Sequence, residues 1–202
     1  MFALIENNQF VKILNANKGI ELNGNKYPKA IFTLWSNAER EAIGIYEVQV
    51  DNTNKKDEAY YINTDISYSF DGSSVIGSYG TATPKPLDDV LFVEGDEIPS
   101  DKQVGDVKQY GLKGLEIAKI KAQAGGLLAP TDWYVVKATE VADYSVPSDI
   151  ATYRANVRTK SNEMETQINA CTTVDELKAL YEYTEDAEGN ITKPLAEFPE
   201  EL

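Results

Sequence analysis

Three prolines, Pro84, Pro86 and Pro99, stand among acidic residues between positions 84 and 105 and divide the chain in two. Proline fixes its own φ and biases the residue before it towards extended backbone. Neither a helix nor a central strand runs easily through such a stretch. The hydrophobic pattern also differs on its two sides. Before it, short runs alternate with a period of two and are punctuated by Asn, Asp and Gly. After it, apolar residues recur at helical spacing. The expected fold class is therefore α+β. A small β-rich N-terminal domain spans 1–83, an acidic proline-containing linker 84–105, a helical C-terminal module 106–183, and an acidic flexible tail 184–202.

In the first part, Phe2–Glu6 and Gln9–Leu14 flank Asn7-Asn8, a tight hairpin turn. Asn23-Gly24-Asn25 is a second turn between short strands, and Asp71-Gly72 a third. Ser36-Asn37-Ala38-Glu39 has the form of a capping box and opens a short helix that Gly44 ends. Ile45–Val50, Tyr60–Asn63, Ile66–Phe70 and Ser74–Tyr79 complete a small mixed sheet rich in tyrosine, a residue that suits a pleated surface.

Beyond the prolines, Val107–Leu128 predicts a helix weakened by its glycines, with a bend at Gly125-Gly126. Pro130 stops it. Thr131 is placed to cap a short helix over 133–138, with Asp132 at the positive end of that helix. Pro147 starts the next helix, whose stripe is Ile150, Tyr153, Val157, Met164 and Ile168. Thr173-Val174-Asp175-Glu176 is a second capping box and opens a last helix bearing Leu177, Leu180 and Tyr181.

Several function classes are disfavoured. The chain has 202 residues, no histidine and one cysteine, Cys171. Histidine-dependent nucleophilic catalysis and the usual zinc sets are therefore out of reach, and no internal disulfide forms. Asp51–Glu58 fails the calcium-loop pattern, because lysines stand where a ligand and a glycine belong. Gly77–Gly80 and Gly111–Gly114 lack a phosphate-loop lysine. No carboxylates are fixed as a catalytic pair, so no enzyme activity, cofactor or metal is expected. Net charge is −14, carried mostly by the proline stretch and the tail. A basic face is missing, so nucleic acid is not an expected partner. No apolar run reaches transmembrane length, and Met1–Glu6 reads as a strand, not a signal peptide.

The most distinctive stretch runs from Leu127 to Arg158: Leu127-Leu128, Thr131-Asp132-Trp133-Tyr134, Pro147, Tyr153-Arg154 and Val157-Arg158. The candidate partner-binding residues are Thr131, Asp132, Trp133, Tyr134, Tyr153, Arg154 and Arg158. Arg154 and Arg158 lie four apart on one helix face. They suit clamping a partner carboxylate; the favoured alternative is that one pairs with Asp132 or Asp149 and joins two helices. Trp133 suits an interface anchor, although a tryptophan there more commonly pins its helix to a neighbour.

At these residues the sequence resembles the tail fibre assembly proteins of tailed phages, also called tail assembly chaperones, over about 55 to 75 residues. Ser161–Tyr181 resembles the end of that family's helical module. Residues 1–83 more loosely resemble N-terminal modules of marine-phage virion proteins, through Met1–Glu6, Leu34–Tyr46 and Asp51–Tyr61. Lys137 departs from the family pattern, where an arginine often stands, and so does the long acidic tail. The resemblance implies a non-enzymatic assembly role in the host cytoplasm, on a phage tail fibre or another tail protein. It also implies a homo-oligomer or a complex with the trimeric fibre, and either release or retention in the virion tail.

Overall fold

The computed structural model describes residues 1–185 and 188–201. The chain divides into two compact units, Met1–Thr83 and Pro84–Leu202, one rich in strands and one mainly helical. The fold class is α+β.

The first unit begins with β1 (Phe2–Glu6) and β2 (Gln9–Leu14), joined through Asn7 and Asn8. Both asparagines have positive φ, 50° and 62°. That is the turn whose twist matches a two-residue hairpin, and asparagine tolerates it better than most residues. A smaller hairpin follows, β3 (Ile20–Leu22) and β4 (Asn25–Tyr27), turning through Asn23 and Gly24 in the same left-handed conformation. Two one-turn helices come next, α1 (Ile31–Leu34) and α2 (Asn37–Glu41). The Ser36–Glu39 capping box is complete at the start of α2. Further strands are β5 (Ile45–Asp51), β6 (Tyr61–Ile62), β7 (Ile66–Phe70) and β8 (Val75–Tyr79).

Five of these strands form one mixed sheet in the order β2-β1-β5-β8-β7, antiparallel except for the parallel β5–β8 pair. The sheet curls until its edges β2 and β7 meet, and Phe10 and Tyr68 stack across the gap at 5.0 Å. Inside the curl lie Ala3, Ile5, Val48 and Val75. On the outer face of β1 and β5, Leu4, Leu14, Leu22, Ile31, Phe32 and Ile45 form a second core under α1 and the small hairpin. Strand β1 is therefore buried on both faces, which is why it reads Phe-Ala-Leu-Ile without a polar residue until Glu6. The sequence reading missed α1. A single turn with two buried residues, Ile31 and Phe32, is too short to show a period.

The second unit corrects the expected linker. Residues 84–105 fold back as a clip. Val90–Leu91 pairs with Val107–Gln109, and Phe92 is buried. The amides of Leu112 and Lys113 donate to the carbonyls of Pro86 and Leu87. Prolines disfavour regular structure here but leave carbonyls free, and those carbonyls hold the next helix by its first turn. Gly111 and Gly114 permit the approach, since a Cβ on Gly111 would stand 2.3 Å from the Asp88 carbonyl oxygen. The expected helical start at Val107 is consequently a strand.

The helices are α3 (Leu112–Leu128), α4 (Asp132–Glu140), α5 (Ser148–Ala170) and α6 (Val174–Ala179), with a 3₁₀ turn at Ala129–Thr131. Helix α3 continues through Gly125-Gly126 without the expected break. Helices α3 and α5 pack together. The α5 stripe Ile150, Tyr153, Val157, Met164 and Ile168 is buried, along with Arg154 and Ser161. The tail is corrected in part. Leu195 is 4% exposed, and Gln167 on α5 bonds the backbone on either side of it. Acidic composition shows that the segment is well solvated, but two apolar residues suffice to seat it. Asp186, Ala187 and Leu202 of the expected flexible tail lie outside the described residues. Among the described residues, no helix is long and apolar enough to cross a membrane.

Candidate functional site

The residues singled out in the sequence gather where α3 ends, α4 begins and α5 starts. Pro130 sits in the first positions of the 3₁₀ turn, where its missing N–H is an orphan in any case. The turn runs directly into α4, so Thr131 has near-helical backbone angles (φ −104°, ψ −1°) and its hydroxyl does not cap α4. This corrects the expected N-cap. The Thr131 hydroxyl instead donates to the Leu128 carbonyl at 2.7 Å and accepts from the Arg154 guanidinium.

Arg154 is the centre of the arrangement. It is 7% exposed, and its guanidinium bonds the α3–α4 junction. Nη1 donates to the Leu128 carbonyl at 3.0 Å and to Thr131, and Nη2 meets Asp132 Oδ1 at 2.7 Å. A planar guanidinium with several fixed donors is suited to satisfying a carbonyl, a hydroxyl and a carboxylate together. Of the two roles weighed for the arginines, Arg154 takes the structural one, with Asp132 and not Asp149 as its partner. Arg158 is exposed and donates to the Arg154 carbonyl at 3.4 Å. The two share a helix face, but only one reaches the junction.

Trp133 does not pin its helix. It is 52% exposed, and its ring lies 3.9 Å from that of Tyr134, tilted by 33°. Lys137 Nζ stands 5.6 Å over Trp133 and 4.2 Å over Tyr144, holding the two rings through cation–π contacts. Helix α4 has no buried residue, and Val135 and Val136 are exposed beside Trp133. The helix is thus tied to the unit at its N-terminal end by the Arg154 junction, with an apolar surface facing outward.

Beside this junction is a cleft of about 280 Å³. Its walls include Leu127 and Pro130 from the α3–α4 connection, Trp133 and Tyr134 from α4, and Ile150 and Tyr153 from α5. Thr131 and Glu201 also line it. Four of the seven candidate residues, Thr131, Trp133, Tyr134 and Tyr153, thereby share one recess. Arg154, paired with Asp132, bonds Thr131 in its wall. Its aromatic and aliphatic walls suit an apolar side chain, with Thr131 and Glu201 adding polar surface beside them.

Other features carry less chemistry. Asp51 accepts from the Thr53 amide and hydroxyl, closing its own loop. Among the described residues, no cluster of acids and cysteine is arranged to hold a metal. Burial pushes the Cys171 thiol up from its usual value, with Glu176 adding to the effect. Sequence reasoning missed Gln167, Leu195 and Phe198. Leu195-Ala196-Glu197-Phe198 was legible as an apolar pair inside an acidic tail, whereas nothing in the sequence marks Gln167.

No family model matches the chain, and neither a curated protein nor a solved structure does.

Proposed function

We propose that this chain is a non-enzymatic bacteriophage tail fibre assembly protein, a chaperone that binds the fibre or its tip. The observation that carries the reading is the resemblance over Leu127–Arg158. In this fold those residues make a braced helix junction beside an aromatic recess. Trp133 is presented outward against the half-buried Tyr134, in the manner of an anchor for a partner chain. On this reading the partner is a phage tail fibre or another tail protein, met in the host cytoplasm during assembly.

Co-expression with a candidate tail fibre protein tests the idea. A chaperone raises the yield of folded fibre trimers, and Trp133→Ala lowers that yield while the helical circular dichroism is unchanged. Equal trimer yield with and without this chain would end the proposal.

The β-rich unit of residues 1–83 favours a second reading, a structural virion component that remains in the tail as a fibre subunit or adaptor. Small β modules commonly build attachment surfaces. Mass spectrometry of purified particles separates the two. Stoichiometric copies favour the structural reading or a retained chaperone, and absence from particles leaves the transient chaperone.

A further inference from the structure

The chain's own C-terminal strap occupies the groove between α3 and α5. Gln167 holds it by the backbone: Nε2 donates to the Pro194 carbonyl and Oε1 accepts from the Ala196 amide, both at 2.8 Å. Such a two-point contact grips main chain on either side of a residue and is indifferent to the side chain between. That side chain, Leu195, is buried, and its amide donates to the Leu180 carbonyl at 3.0 Å. Three residues on, Phe198 packs against the cluster of Ala124, Tyr153 and Val157. After three more, Glu201 lines the aromatic cleft. Tyr153 belongs both to the cluster that Phe198 covers and to the cleft, so groove and cleft adjoin.

The strap fills this surface unevenly. It supplies apolar side chains at its first two positions and a carboxylate at the third, beside Trp133, Tyr134, Ile150 and Tyr153. Glu201 is exposed there, so it does not fill the apolar part of the recess. The strap also leaves a cavity of about 320 Å³ along Ile120, Gln123 and Met164.

We propose that this groove is a receptor for a partner's polypeptide segment with apolar residues at three positions spaced by three. Residues 194–201 hold the groove in cis as an imperfect copy of that ligand, and the partner displaces them. A second copy of this chain is a poorer occupant than such a partner. It would bring the same Glu201 to the cleft and compete against an identical strap already tethered in place. The inference stands on the groove itself and holds whether or not the partner is a fibre.

The probe is a fluorescein-labelled peptide of residues 190–201 carrying Glu201→Leu, titrated by anisotropy against the full chain. Binding is expected to tighten at least tenfold when the chain carries Phe198→Ser, which loosens the strap, and to weaken at least tenfold when Gln167→Ala is added. The unsubstituted peptide is expected to bind more weakly than the Glu201→Leu form. No binding to a Phe198→Ser chain that retains its helical dichroism would overturn the proposal. So would binding indifferent to Gln167→Ala. Hydrogen exchange of the unaltered chain gives a second reading that needs no variant. The Leu195 and Ala196 amides are expected to exchange by local release, well before those around Val157 in α5. If they exchange only with α5, the strap is not displaceable and the proposal falls. A concentration-dependent dimer of the unaltered chain that protects the groove from the peptide would make the second copy the occupant, and would also overturn it.

Discussion

Arg154 and Asp132 form an ion pair whose two members have unequal stakes. The arginine side chain is 8% exposed and the aspartate 60% exposed. Replacing Asp132 by Asn loses a half-solvated charge interaction, expected to cost less than about 1 kcal/mol. Replacing Arg154 by Leu leaves the Leu128 carbonyl with the Thr131 hydroxyl as its one side-chain donor, takes from that hydroxyl the bond it accepts, and removes a buried side chain that fits the junction. That change is expected to cost about 2–4 kcal/mol. Urea unfolding followed by helical dichroism measures both, and equal costs would mean that the junction is not centred on Arg154. Gly44 is the counterpart in the first unit. Its φ is +80°, its carbonyl accepts the Ile5 amide, and a Cβ would stand 2.5 Å from the Ile5 carbonyl oxygen. Gly44→Ala is expected to destabilise the β unit by about 2 kcal/mol or more. A thermal melt read by near-ultraviolet dichroism of its aromatic residues checks this.

At the level of elements, the two capping boxes tie helix starts to pH. The Thr172 amide and hydroxyl beside Glu176, helped by the Thr173 amide, hold its carboxyl below the usual carboxylate range. The Ser36 hydroxyl and amide do the same for Glu39. A folded-state value below the unfolded one means that the stabilisation is fully present well above the unfolded value of about 4.3. It is lost as pH falls through the lowered folded value. Glu176→Gln keeps a side chain that fits the box but no longer titrates. The gap in melting temperature between the original chain and this variant is therefore expected to be largest near neutrality and to close between about pH 5 and 3. A gap that stays constant across that range would remove Glu176 from the acid response. Thr173→Ala, which deletes the cap itself, is expected to cost about 1 kcal/mol at neutral pH.

Across the whole molecule, the strap distinguishes a tail that merely trails from one that belongs to the fold. Leu195→Ala would cost nothing in a trailing tail. Buried as Leu195 is, the substitution is expected to cost about 2 kcal/mol, capped by the free energy of releasing the strap locally. Limited proteolysis after residue 188 should accelerate in parallel, because the same release exposes the backbone that Gln167 holds. Unchanged stability and unchanged cleavage would return the segment to a solvated tail.

Much of this was legible in advance because it is local. Asn7-Asn8 turns, Ser36–Glu39 and Thr173–Glu176 cap, and the α5 stripe from Ile150 to Ile168 faces inward. Each is decided by residues within a turn or two of one another, where backbone sterics and side-chain reach leave few choices. Where the reading differed, distant partners had decided. Val107–Gln109 is a strand because Val90–Leu91 lies beside it, and the proline stretch is a clip because its carbonyls meet the first turn of α3. Trp133 lies on the surface because α4 is tied at its first turn and buries none of its residues. The Leu127–Arg158 stretch shows both. Its sequence determined two helices, the turn between them and the shared face of Arg154 and Arg158. Only the tertiary structure decided that Arg154 points inward to Leu128, Thr131 and Asp132, and that Tyr153 shares a recess with Trp133. Hydrogen-bond partners 23 to 26 residues apart are set by packing, which no local pattern encodes.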